Sequence, residues 1–192
     1  MFKRTSIFVL GLVIAALAAP TAASADDDDF YFVYFPHEDV ESHFFNDWGD
    51  ARSGGRSHKG TDVFGEKHSA VVAVADGFIT AMDYGPRAGY NVRIQHQDGW
   101  ETWYLHLNND SPGTDDGAAG AGGAFPADLE VGMFVPAGTV VGYVGDSGNA
   151  EASSSHTHFE LHTGRRAINP YPYLEASYDR WLRVLDLAQE IW

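Results

Sequence analysis

The chain has 192 residues, enough for one domain with a sizeable core and marginal for two. Hydrophobic residues at 44% against 20% charged exclude a disordered chain, and a formal net charge of −15 argues against nucleic acid, whose phosphates require a positive surface. Cysteine is absent, which rules out disulfides and a lipid-modified cysteine, so an exported form must be held by its core, a metal or both.

The first 25 residues differ from the rest. Lys3 and Arg4 precede an apolar run from Ile7 to Leu17, and small residues lead to Ala23-Ser24-Ala25 ahead of Asp26. This is the layout of a secretory signal peptide, with an apolar run shorter than the roughly 20 residues a membrane span needs. Residues 1–25 are therefore expected to be removed, leaving a secreted protein, periplasmic or extracellular, with no stable membrane insertion. Residues 26–44 form an N-terminal segment. It opens on the acidic run Asp26 to Asp29 and continues into a strand-like aromatic stretch from Phe30 to Phe35, closed by Pro36.

Residues 37–60 read as an irregular approach. From Ala70 the pattern becomes that of short strands separated by glycine turns. Val71 to Val74 is one run, followed by a turn at Asp76-Gly77. Phe78 to Met82 and Tyr90 to Gln95 come next, then Asp98-Gly99 as a hairpin turn and Trp100 to Leu107. Thr139 to Val144 and His156 to His162 supply two more. Residues 108–127 interrupt the rhythm as a long loop with a Gly/Ala stretch from Ala118 to Ala124. Its Asp110, Asp115 and Asp116 lack regular calcium-loop spacing. Tyr178, Trp181, Leu182, Leu185 and Ala188 recur at helical spacing, predicting an amphipathic C-terminal helix within residues 174–192 that packs on the sheet.

Three patterns carry chemistry among nine histidines. His58 and Asp62 are four apart, and both residue types are good zinc ligands, with Gly60 between them as a point where the chain can turn. By itself this spacing also fits a surface histidine and a turn aspartate. His156 and His158 are two apart on a predicted strand, so both rings project to one face while Phe159 and Leu161 alternate to the other. His106 lies in the apolar run Trp103 to Leu107, where a lone histidine fits a satisfied core position. Glu160 and His162 share the face of His158, where Glu160 could orient a ligand. His37, His43, His68 and His96 read as exposed. Two histidines and one carboxylate leave a fourth tetrahedral position for water, the mark of a catalytic zinc. The same ligand types serve non-haem iron oxygenases, which would leave the other histidines without a role. The helix-borne His-Glu-x-x-His arrangement is absent.

From about Phe45 to Tyr171 the chain resembles the LytM/lysostaphin-like zinc metalloendopeptidases, which hydrolyse peptidoglycan. The resemblance is carried in order by Trp48-Gly49, Arg52, His58-Lys59-Gly60-Thr61-Asp62, Ala73-Val74-Ala75-Asp76-Gly77 and Tyr104-Leu105-His106-Leu107. Gly142-Tyr143-Val144-Gly145, Ser147-Gly148, His156-Thr157-His158-Phe159-Glu160 and Asn169-Pro170 complete it. It implies a mainly β fold, an antiparallel β-sheet groove of the duplicated hybrid motif type spanning residues 45–173, followed by the helix. It further implies Zn²⁺ held by His58, Asp62 and His158, with His106 and His156 catalytic, and peptidoglycan peptides as substrate. A silent wall-binding or regulatory module of the same fold, or a metallopeptidase acting on secreted proteins, is the alternative. Oligomeric state is left open.

Overall fold

The computed structural model describes residues 30–39 and 41–191. The expected signal peptide and the Asp26 to Asp29 run lie outside the described residues. The architecture is mainly antiparallel β, as the sequence predicts. A small hairpin of β1 (Ala51–Arg52) and β2 (Arg56–Ser57) turns through Gly54 and Gly55, both at positive φ. β3 (Thr61–Phe64) and β4 (Ala70–Val72) follow, then the long strands β5 (Gly77–Gly85), β6 (Gly89–Gln95) and β7 (Trp100–Leu107). Asp98 and Gly99 have φ of 57° and 79°, the left-handed pair a tight β-hairpin needs, so β6 and β7 join there as predicted. After the short helix α1 (Ala121–Ala124) come β8 (Phe134–Val135), β9 (Val140–Tyr143), β10 (His156–Thr163), β11 (Arg166–Ile168) and the helix α2 (Tyr171–Ile191).

The main sheet runs β11-β10-β7-β6-β5-β8, and β3 adds to the first half of β10. β10 is therefore flanked on one side by β7 and on the other by β3 and then β11. β4 and β9 pair as a second, two-stranded sheet. Val71, Ile79, Val92, Ile94, Tyr104, Leu107, Val141, Phe159 and Leu161 interdigitate at 0–1% exposure to form the core. Each such side chain contributes about 1.5–3 kcal/mol by leaving water.

Several expectations are corrected. The aromatic stretch 30–35 is not a strand. Its Val33 and Tyr34 amides both donate to the Val74 carbonyl, while Phe32 and Phe35 insert between sheet and helix. Phe32 meets Phe159 edge-on and Tyr173, and Phe35 meets Phe44, Tyr178 and Trp181. Burial of alternate rings needs no ladder here. α2 begins at Tyr171, before the predicted start, because the Asn169 side chain caps the Tyr171 amide at 3.0 Å and Pro170 is preset for a helical start. Beyond Trp181 the helix does not keep its apolar face on the sheet: Leu182 and Leu187 are exposed.

The loop at 108–127 packs against the core. Ala124 and Phe125 enter the core, and Asn108 donates to the carbonyls of Asp110 and Gly123. Its acidic residues already have a cation. The Lys67 ammonium sits 2.8 Å from Asp110, 2.7 Å from Asp115 and 2.8 Å from Asp146. Burial alone would disfavour the Lys67 charge, but the three carboxylates raise its pKa above the ordinary range.

His37 and His96, read as exposed, are buried. His37 is bonded to the Ser42 and Thr157 hydroxyls at 2.9 Å each, and His96 to the Asp76 carbonyl and the Thr102 hydroxyl at 2.8 Å each. His68 is half-buried and His43 is exposed.

Replacing Lys67 by Met should destabilise the fold by about 3–5 kcal/mol, since it leaves the buried Asp110 and Asp146 carboxylates uncompensated. Urea melts measure the loss, and limited proteolysis should show residues 108–127 opening first. Burial lowers the His37 pKa to about 3. The unfolded chain takes up that proton near pH 6.5 and the folded chain does not, so stability should fall as pH drops from about 6.5 toward 3, by up to about 1.4 kcal/mol per pH unit. A His37→Gln variant should show a shallower pH dependence in thermal melts.

Candidate metal centre

The register of β3 against β10 creates the site. His158 lies opposite Asp62 across that pair and opposite Leu105 on β7. Opposed residues of an antiparallel pair share a face, so Asp62 and His158 project together. Thr157, Phe159 and Leu161 point into the core, all at 0% exposure. His156, His158, Glu160 and His162 take the other face, as alternation predicts.

His58 joins from the segment before β3. Its Nε2 is 3.1 Å from Asp62 Oδ1 and 2.8 Å from His158 Nδ1, and His158 Nδ1 is 2.8 Å from Asp62 Oδ1. The outward nitrogens fix the tautomers. His58 Nδ1 faces the Asp47 carbonyl at 3.0 Å and the Asp47 carboxylate at 3.1 Å, both acceptors, so it carries the proton. His158 Nε2 donates to Glu160 Oε1 at 3.0 Å. Two imidazole lone pairs and a carboxylate oxygen thus converge on one point. Such a set is mutually repulsive without a positive charge at its centre, and its N,N,O chemistry fits a divalent transition metal, zinc foremost. The same preference for positive charge appears in the titration. Burial opposes the His58 imidazolium, but bonds to Asp47 and Asp62 outweigh it and raise its pKa to about 9; His158 is raised for the same kind of reason by Asp62 and Glu160. Asp62, although burial would push it up, is held well below the carboxylate range by His158 and His58.

An outer layer of polar partners supports these residues. The Arg52 guanidinium donates to Asp62 Oδ2 at 3.0 Å and to Asp47 Oδ2 at 3.2 Å, tying the carboxylate behind each side of the site together. Glu160 accepts from His162 at 2.6 Å, and burial notwithstanding, its two histidine partners lower its pKa to about 2. The His162 ring stacks on Trp103 at 4.2 Å, and Arg93 covers the same indole at 4.0 Å. Sequence reasoning flagged Glu160 and His162 but missed Asp47, which lies in an irregular segment with no periodicity to expose it.

His106 and His156 stand beside the three ligand candidates, their ring centroids 5.2 Å apart. His106 Nδ1 donates to the Ser147 carbonyl at 2.9 Å and His156 Nδ1 to the Ser154 carbonyl at 2.8 Å. Both rings therefore turn Nε2 toward the groove. Burial, reinforced by the neighbouring His156 and His158, lowers the His106 pKa to about 4. Simple alternation would put His106 on the core face with Tyr104. Its φ of 61° reverses that: Leu105 and His106 both line the groove, and Leu107 returns to the core. A left-handed histidine costs about 1–2 kcal/mol. Ser147, fully buried, holds the distortion by donating to the Leu107 carbonyl at 2.5 Å and accepting from the Tyr90 amide at 2.9 Å.

The five residues singled out in the sequence thus meet at the floor of one groove of about 580 Å³. Gly60 does not serve as a left-handed turn. A Cβ there would lie 2.4 Å from the Phe159 carbonyl oxygen and 2.8 Å from His158 Nε2, so glycine is required for close approach of the chain to β10.

Residues 56–117 match the model of Peptidase family M23, a span that contains His58, Asp62 and His106 and stops before β10. Over 117 residues the chain is 31% identical to the DD-carboxypeptidase/endopeptidase Mpg of Neisseria meningitidis serogroup B, covering 60% of this chain and 22% of that protein. The chain spans about a fifth of the length of the curated relatives it matches. The LytM protein of Ruminococcus gnavus superposes with a TM-score of 0.59 at 27% identity, covering 77% of this chain and 60% of that one. The catalytic domain of lysostaphin from Staphylococcus simulans shares the fold, with a TM-score of 0.55 at 23% identity over 69% of this chain and 92% of that one. Family match, relatives and fold agree with the LytM/lysostaphin-like resemblance carried by the sequence motifs.

Gly60→Ala should force β3 and β10 apart, costing about 1–3 kcal/mol as in overpacked cores. The affinity of the site for a divalent metal, measured by titration calorimetry, should drop with it.

Proposed function

We propose that this M23-type domain is a secreted zinc metalloendopeptidase that hydrolyses peptide bonds of peptidoglycan stems or cross-bridges. The observation that carries the reading is the convergence of His58 Nε2, Asp62 Oδ1 and His158 Nδ1 within 3.1 Å of one another, beside two histidines anchored through Nδ1 to backbone carbonyls. His58, Asp62 and His158 would hold the metal. Zinc bound there would supply Lewis acidity and lower the pKa of water to about 7.

The remaining steps belong to the chain. The groove binds an extended peptide over the site. His106, neutral and anchored through Nδ1, accepts a proton at Nε2 as water attacks the scissile carbonyl, with His156, anchored the same way, assisting beside it. The protonated ring then donates at Nε2 to the charged carbonyl oxygen, and passes the proton to the departing amine. Asp47 and Glu160 keep the ligand rings in the required tautomers, and Arg52 fixes Asp62. An iron oxygenase would leave His106 and His156 without work, although the fold has bent β7 at a cost to bring His106 in. The substrate class is supported by the resemblance, by a relative named DD-carboxypeptidase/endopeptidase and by the lysostaphin-type fold. Secretion is supported by the first 25 residues. Among the described residues no helix is long and apolar enough to cross a membrane.

The direct test is zinc content together with mass spectrometry of fragments released from purified peptidoglycan. One equivalent of zinc and new amine termini are expected; full zinc loading with no fragment released would leave a binding or regulatory module instead. His106→Ala and His156→Ala should each lower turnover at least about 100-fold while zinc stays bound. His58→Ala and Asp62→Ala should lose the metal. Near-normal turnover in either of the first pair would remove its assigned role.

A further inference from the structure

The chain is strongly acidic, but its groove is not. Among the described residues, Arg52, Arg56, Lys59 and Arg87 line the groove, whereas Asp62 and Glu160 are the only carboxylates that do. Those two carboxylates are already engaged, Asp62 with His58, His158 and Arg52, and Glu160 with His158 and His162. Among the described residues, Arg56, Lys59 and Arg87 have no carboxylate partner. All three are exposed. Arg56 is bonded only to Ser53, through its carbonyl and hydroxyl.

The cations come from two separate parts of the chain. Arg52, Arg56 and Lys59 belong to the β1–β2 hairpin and the link into β3. Arg87 sits in the β5–β6 turn, whose Ala88 carbonyl accepts from the His106 amide at 2.9 Å. Chance placement on a surface this acidic would surround the groove with carboxylates. A chain of net charge −15 also repels anions at long range, so an anionic substrate needs a local reversal of field to enter. Three other basic groups are engaged elsewhere: Lys67 is bound by three carboxylates, Arg93 lies on Trp103, and Arg180 bonds the Phe32 carbonyl.

We infer that the groove selects peptides bearing free carboxylates, through Arg56, Lys59 and Arg87, over neutral glycine bridges or amidated peptides. This inference rests on the peptidase reading for the bond cut, but the charge preference concerns binding and can be read separately. Arg and Lys are suited to it: the guanidinium meets a carboxylate with two parallel donors, and the ammonium acts as a point charge.

The test uses the zinc-loaded protein and two synthetic cross-linked stem peptides, identical except that one carries free carboxylates and the other their primary amides. Both kcat/KM and Kd are measured, the latter by fluorescence anisotropy. The carboxylated peptide should be favoured about tenfold at low salt, and the ratio should shrink as ionic strength rises. In an Arg56→Gln/Lys59→Gln/Arg87→Gln variant with unchanged circular dichroism and zinc content, the ratio should approach one. Equal values for the two peptides, or preference for the amide, would overturn the inference. If neither peptide is cut but the carboxylated one binds more tightly, the selectivity stands and the peptidase reading fails. If neither is cut and both bind alike, both fail.

Discussion

The metal-ligand set of the site depends on one strand register, that of β3 against β10. In an antiparallel ladder, opposed residues share a face, and a slip of a single residue exchanges the two faces of the strand. With His158 opposite Asp62, the nitrogen and oxygen donors meet over the groove. Slipped by one, β10 would present Thr157 and Phe159 there and bury its histidines. The core prevents this. Val63, Phe159 and Leu161 have no exposed surface, and Gly60 allows contact so close that no other residue fits. The hydrophobic side of the strand pair thus fixes the geometry of the polar side. Arg52, Asp47 and Glu160 refine an arrangement that packing has already chosen.

Where local periodicity carries the information, the sequence was readable. The alternation from His156 to His162 assigns the faces of β10 correctly, and Asp98-Gly99 marks the β6–β7 hairpin. The His58-x-x-x-Asp62 pair was visible as chemistry but not as structure, because β3 is only four residues long and Gly60 acts through its distance to another strand. His106 shows the opposite limit. Alternation along β7 places it in the core, and only a backbone reversal held by Ser147, 41 residues away, turns it to the groove. His37 was read as exposed because its partner Thr157 is 120 residues distant, beyond the reach of any local pattern.

Tertiary context also overrode local character at the periphery. The aromatic stretch 30–35 has strand composition, but its rings are used as a wedge between sheet and helix, and its amides find a single carbonyl instead of a ladder. The loop at 108–127 has the composition of a flexible segment. It is fixed at one end by Lys67 and at the other by Ala124 and Phe125 in the core. A cluster of carboxylates that resembles a cation site in one dimension is thus closed by a lysine in three.

The β3–β10 pairing also has a temporal side. Asp62 and His158 are separated by 96 residues, and His58 and His158 by 100. Closing a loop of that length costs about 4 kcal/mol of chain entropy before any contact compensates it, and topologies built on distant strand pairs fold slowly. The β5–β6–β7 meander, made of neighbours in sequence, can form without it. Assembly of the site therefore waits on a long-range step of folding. A chain that is still threading, or only partly collapsed, has its histidines scattered on separate pieces and no common centre.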